Sequence, residues 1–306
     1  MPPTAETTDS QPGAAAPQIE GDLLATRRML GGGAPGRESA ADRRSLAARF
    51  QSASAVREVL ERASASGLQG VVGYNDARLF DAFGGRPASV LPRLLPIVPN
   101  IQGLMRDAVE HGLMGAALLR MRRARVLSLL GLSARSVGRG WAILQRDFPT
   151  MLRSFVELEL SEFHAFDPPI VFLQPQMTDL ALAMRNPRIV RAFAEAVEGL
   201  TGATPGYMTH NFAALVERMN AWGVPIGAVV TPWSADGAGM RPTREACERA
   251  RQNAGALIWI DRAGFTESPD AEAILHGGQF DLDGTLRDDD SLLFAREGGA
   301  RRGDDR

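Results

Sequence analysis

One alternation limits what this chain can fold into more than any other feature. From Pro168 to Asn211 a short apolar run, Ile170–Leu173, is followed by polar Gln174-Pro175-Gln176. The amphipathic stretches Met177–Met184 and Ile189–Leu200 come next, then a second short run, Gly206–Thr209, whose end His210-Asn211 leads into another helical stretch. Short apolar runs bounded by Pro, Gly and amide residues read as buried strands, and apolar spacing of three and four residues reads as helix. The unit is therefore strand–helix–strand–helix.

The same grammar recurs on both sides. Arg28–Leu30 runs into the glycines 31–33, and Ser54–Ala65 carries Val56, Val59 and Leu60 at helical spacing with Gly67 closing it. Leu68–Tyr74 reads as a second strand, with Asn75-Asp76 capping a helix over Ala77–Phe83, and Arg93–Pro99 as a third. After the central unit come strands at Ile226–Trp233, Ala256–Asp261 and Gln279–Leu282, with helices at Thr243–Asn253 and Asp270–Leu275. Strands alternating with helices demand parallel pairing, right-handed crossovers and helices over the sheet. Eight such units predict an α/β fold of the (β/α)8 TIM type, with an open doubly wound sheet as the rival topology. Ile101 to Phe166 shows helical stretches but no strand, which predicts a helical insertion over 101–166 between strands three and four. Residues 1–20 and 285–306 have little to bury and read as disordered tails flanking one domain over 21–284.

Composition removes whole classes of chemistry. The 306-residue chain is 44% hydrophobic and 23% charged with a net charge of −2, which gives no general attraction for nucleic acid. Its one cysteine, Cys247, excludes a disulfide framework and multi-cysteine metal sites and suits a reducing compartment. The N-terminus has no basic segment leading into an apolar core, and no uninterrupted apolar run reaches the length of a membrane span, so a cytoplasmic protein is expected. All 34 basic residues are arginine. Schiff-base, pyridoxal-phosphate and Walker-type mechanisms all need a lysine amine, and arginine cannot replace it because it keeps its proton at working pH.

In a barrel of this kind the site lies at the C-terminal ends of the strands. Those ends carry Tyr74, Asn75, Asp76, Asn100, Gln174, Gln176, Thr209, His210, Asn211, Thr231, Trp233, Asp261 and Arg262. His210 is the candidate acid–base residue, because it ends a strand and an imidazole titrates near neutrality. Asp76 and Asp261 are the candidate carboxylates beside it. Asn75, Asn100, Gln174, Gln176, Asn211, Trp233 and Arg262 are the candidate substrate-binding residues. Each has a structural reading as well: His210 and Asn211 as helix caps, Asp76 as a first-turn acid on a helix dipole, Asp261 as the ion-pair partner of Arg262, Trp233 as packing. No HxH or HExxH pattern occurs, and no metal site is assigned; the cofactor is left open.

Two motif matches fail on context. Gly31–Gly36 is glycine-rich without GxGxxG spacing or a P-loop lysine. Phe280–Leu286 resembles the first motif of haloacid-dehalogenase-type phosphatases, but too little chain follows for that domain. Between His111 and Phe155, arginines 120, 122, 123, 125, 135, 139, 146 and 153 face Asp147 alone and are interleaved with leucines. A basic amphipathic segment can cover a site for an anion or lie on an anionic membrane, with Arg120, Arg122, Arg123 and Arg125 as its contacts.

LPIVPN (Leu95–Asn100), PPIVFLQPQMTDLALA (Pro168–Ala183), the strand end Thr209–Asn211 and RPTREACE (Arg241–Glu248) together resemble a group of uncharacterised bacterial proteins with aldolase-type barrels. The resemblance implies the barrel over roughly half the chain and carries no activity with it. A looser likeness to aldo-keto reductases rests on Tyr74 and His210, but their tetrad also needs a lysine, and Val71-Val72 here leads to Gly73 rather than an aspartate. The expected function is lyase or isomerase chemistry on a small, polar, anionic metabolite. The alternative is an inactive barrel serving as a binding or membrane-peripheral scaffold.

Overall fold

The computed structural model describes residues 23–26, 48–84, 91–101, 103, 109–110, 148–234, 237–261 and 284–287. Its elements in chain order are β1 (Leu23–Ala25), α1 (Ala53–Ala65), β2 (Gly70–Gly73), α2 (Ala77–Ala82), β3 (Arg93–Val98) and α3 (Phe148–Phe163). A 3-10 turn over His164–Phe166 precedes β4 (Ile170–Leu173), α4 (Pro175–Ala183), α5 (Pro187–Thr201), β5 (Thr204–Met208) and α6 (Phe212–Trp222). The last elements are β6 (Ala228–Thr231), α7 (Arg244–Arg251), β7 (Leu257–Asp261) and β8 (Gly284–Arg287).

The fold is mixed α/β. Strands β2 to β7 form a curled, six-strand sheet in which every neighbour pair is parallel and follows chain order. β1 lies beside β2, and β8 pairs with both β7 and β1. Parallel strands need long crossovers, and helices supply them. Among the described residues no helix is long and apolar enough to cross a membrane.

Strand alternation divides the core in two. Leu23, Val72, Leu95, Ile97, Ile170, Phe172, Met208, Ala228 and Val230 form one cluster on the concave side. Their chain neighbours Leu24, Val71, Leu94, Val98, Val171, Leu173, Tyr207 and Val229 belong to the layer between sheet and helices. A period of two puts alternate residues of each strand on opposite faces, and here both faces are apolar. Two inward positions are glycine for steric reasons. A Cβ on Gly206 would lie 2.6 Å from the Phe172 ring, and one on Gly70 would run into Leu95 and Leu23.

Helix boundaries follow their residues. Ser52, Asn186 and Thr243 accept first-turn N–H groups of α1, α5 and α7, Pro stands at the start of α4 and α5, and Gly202 and Gly223 end α5 and α6 in the left-handed conformation. α3 packs along α5 and against β3. At its end Phe163 meets Phe80 edge-on at 5.0 Å, and Phe166 stacks on Phe80 at 5.2 Å. Phe148–Phe163, within the expected insertion, is thus a helix packed on the sheet's outer layer.

Two strands are found where the sequence marks none. The strand preceding β2 in the sheet is Leu23–Ala25; Arg28–Leu30 lies outside the described residues. The strand joining β7 to β1 is Gly284–Arg287, while Gln279–Leu282 lies outside the described residues. The expected C-terminal tail therefore begins within β8.

Candidate functional site

The C-terminal end of β5 carries Thr209, His210 and Asn211, and α4 begins beside it because α4 follows the neighbouring strand β4. That juxtaposition delivers Asp179, in the second turn of α4, to the strand end. Thr209 Oγ1 donates to Asp179 Oδ1 at 2.5 Å. His210 Nδ1 lies 3.0 Å from Asp179 Oδ2, and the His210 backbone N–H reaches the same oxygen at 3.4 Å. Asn211 donates its backbone N–H to Thr209 Oγ1 at 2.9 Å, and its side chain also hydrogen-bonds Asp179. Thr209 is buried, Asp179 is partly buried, and the His210 side chain is 56% exposed.

Electrostatics sets the roles within this cluster. Burial alone would raise the Asp179 pKa. Hydrogen bonds from His210, Thr209, Asn211 and the His210 backbone outweigh it and hold the carboxyl below its ordinary value. Asp179 is therefore a carboxylate, which only accepts, so the proton on the short contact belongs to His210 Nδ1. The neutral ring then has its basic lone pair on Nε2.

This shift makes a stability prediction. A carboxyl whose folded pKa is depressed stabilises the fold above its unfolded pKa, about 3.9 for aspartate, and that contribution disappears as pH falls through the lower folded value. Asp179→Asn is expected to flatten the acid limb of a plot of Tm against pH below about pH 4. An unchanged acid limb would show that the carboxylate adds no linked stability.

A second polar group lies at the ends of β2 and β3. Asn100 Nδ2 donates to Asn75 Oδ1 at 2.9 Å, and Asn100 Oδ1 accepts the Gly103 N–H at 2.8 Å. Asn75 Nδ2 faces both carboxylate oxygens of Glu162 at 3.5 Å, and the Asn100 backbone N–H donates to buried Glu159 at 2.7 Å. The carboxamide oxygens of Asn75 and Asn100 are thus engaged by the protein itself. Both were expected to bind substrate; the contacts seen are structural ones between β2, β3 and α3.

Other expected residues are distributed as follows. Asp76 caps α2 and is held by Arg78, whose Nε and Nη2 lie 3.0 and 2.8 Å from its oxygens; burial raises its pKa, but the Arg78 contacts prevail and lower it. The carboxylate seen against His210 is Asp179, while Asp76 is engaged by Arg78; the Asp261 side chain lies outside the described residues. Gln176 is exposed on α4. Trp233 is buried, meeting Phe212 edge-on at 5.8 Å in the sheet–helix layer. Gln174 is buried at the end of β4. Arg262 and the arginines 120, 122, 123 and 125 lie outside the described residues.

Asp179 is the member of the cluster absent from the strand-end residues marked in the sequence, and Thr209 stood among them without an assigned role. A carboxylate inside a helical run reads as a solvated surface charge. The available signal is topological: in parallel strand–helix units, the start of one helix lies next to the end of the following strand. Among the described residues, no three His, Cys, Asp or Glu side chains converge as metal ligands would. Comparison with protein-family models, curated proteins and solved structures finds no match.

Proposed function

We propose that the chain is a (β/α)8 barrel of the TIM type that carries out acid–base chemistry, of the lyase or isomerase kind, on a small polar metabolite. The pairing of β8 with both β7 and β1 supports the barrel reading. The observation that carries the chemistry is the 3.0 Å contact between His210 Nδ1 and an ionised Asp179 at a strand's C-terminal end. Asp179 orients the ring and holds the tautomer. Nε2 then takes a proton from carbon next to a carbonyl and returns it to the same or a neighbouring carbon. The eight arginines set against Asp147 alone between His111 and Phe155 favour an anionic substrate.

Proton transfer of this kind leaves an isotopic mark. The purified protein, incubated in D2O with a deproteinised cell extract, is expected to raise the mass of at least one metabolite through carbon-bound deuterium, read by mass spectrometry. Absence of protein-dependent deuterium uptake across the extract would count against the proposal.

A further inference from the structure

Gln174 is 3% exposed, and among the described residues its carboxamide has no hydrogen-bond partner. Its backbone is fully engaged. The N–H donates to the Val98 carbonyl at 3.0 Å, and the C=O accepts the Met177 and Thr178 N–H groups, each at 3.1 Å. Although it occupies the cap position of α4, its side chain makes no capping bond. The residue is buried, yet its carboxamide is not sealed from outside, so a ligand can reach it.

Strand alternation says where the group faces. Ile170 and Phe172 belong to the concave cluster, while Val171 and Leu173 belong to the sheet–helix layer. The backbone at Gln174 is still extended, with φ −61° and ψ 151°, and still bonded to β3, so the alternation carries through to it. Gln174 therefore stands directly beyond Phe172 on the concave face. On the adjacent strand the same face carries Met208, and His210 follows two residues later, where its ring and Thr209 Oγ1 both meet Asp179.

We propose that Gln174 is the ligand-reading amide of this mouth, donating its side-chain N–H to the carbonyl or carboxylate oxygen of a small substrate that bears an acidic C–H beside that group. This inference rests on the acid–base reading of His210 given above. The C–H bond breaks, its proton goes to His210 Nε2, and its electron pair forms a carbon–carbon double bond as the carbonyl π pair moves onto oxygen. The Gln174 N–H holds that oxygen while charge develops on it. Return of the proton from His210 to carbon completes the cycle with no further reactant.

Gln174→Met keeps the side chain's length and removes the amide; Gln174→Leu is the second variant. The Tm of each is expected to stay at or above that of the wild type, because the side chain makes no capping bond that the change could remove. Deuterium uptake by the metabolite identified with wild type is expected to fall at least tenfold. A lowered Tm would place the amide in the fold's own hydrogen bonding and overturn the proposal. Unchanged uptake would also overturn it, and is the result expected if only water meets the amide. If wild type itself incorporates no deuterium, the acid–base reading fails by itself. Gln174 is then judged by the 15N-labelled side-chain amide signal on titration with pyruvate and with dihydroxyacetone. A saturable shift with either supports ligand reading; no shift with both overturns it.

Discussion

His210→Ala is expected to lower carbon-bound deuterium uptake by roughly 10²- to 10⁴-fold, the range a positioned acid–base group contributes. The fold should survive the change. The His210 side chain is more than half exposed, and its ring contact with Asp179 is a partly solvated pair of the kind whose loss has little effect on stability. Activity and Tm therefore separate in this variant, as they would not if His210 and Asn211 served only to start α6. Asp179 keeps its bonds from Thr209 and the His210 backbone N–H when the imidazole is removed. A comparable Tm with uptake intact would reduce His210 to a helix-entry residue.

The second large effect is on stability. Phe172 is fully buried on the concave face, and its ring fills space left by the absent side chain of Gly206. Phe172→Ala is expected to destabilise the protein by about 3–5 kcal/mol, through lost apolar burial and the cavity left behind. Urea unfolding measures this directly. The packing explains why the loss is not recovered: Phe172 shares the concave face with Ile97, Ile170 and Met208, which are already buried. A loss below about 1 kcal/mol would mean that the concave face collapses or is not packed as described.

Those two effects draw on parts of the molecule that the sequence reveals unequally. β4, flanked by Pro169 and Gln174, is found over the residues its apolar run marks, and β2, β3, β5, β6 and β7 fall within one or two residues of their marks. Burial on both faces makes such strands continuous apolar runs, and those are visible one residue at a time. The two strands at the chain ends are different. Leu23–Ala25 and Gly284–Arg287 are short, and Gly-Thr-Leu-Arg has little strand character of its own. Their place comes from the neighbours they pair with, which no local pattern records. The site divides in the same way. His210 stands out in the sequence because it follows an apolar strand. Asp179 does not, because it matters only through the meeting of α4 with β5. Asn75 and Asn100 were correctly placed at strand ends, but a strand end does not say whether an amide faces a ligand or another amide.

In the proposed chemistry Asp179 holds His210 as a base through Nδ1–H, with the lone pair on Nε2. This arrangement is tested most directly by long-range 15N–1H correlation spectra of the full chain labelled at histidine, recorded where the ring is neutral. The Nδ1–H tautomer is expected for His210 in the wild type, with loss of that preference in Asp179→Asn. A neutral ring protonated at Nε2 in the wild type, or a tautomer indifferent to Asp179, would contradict it.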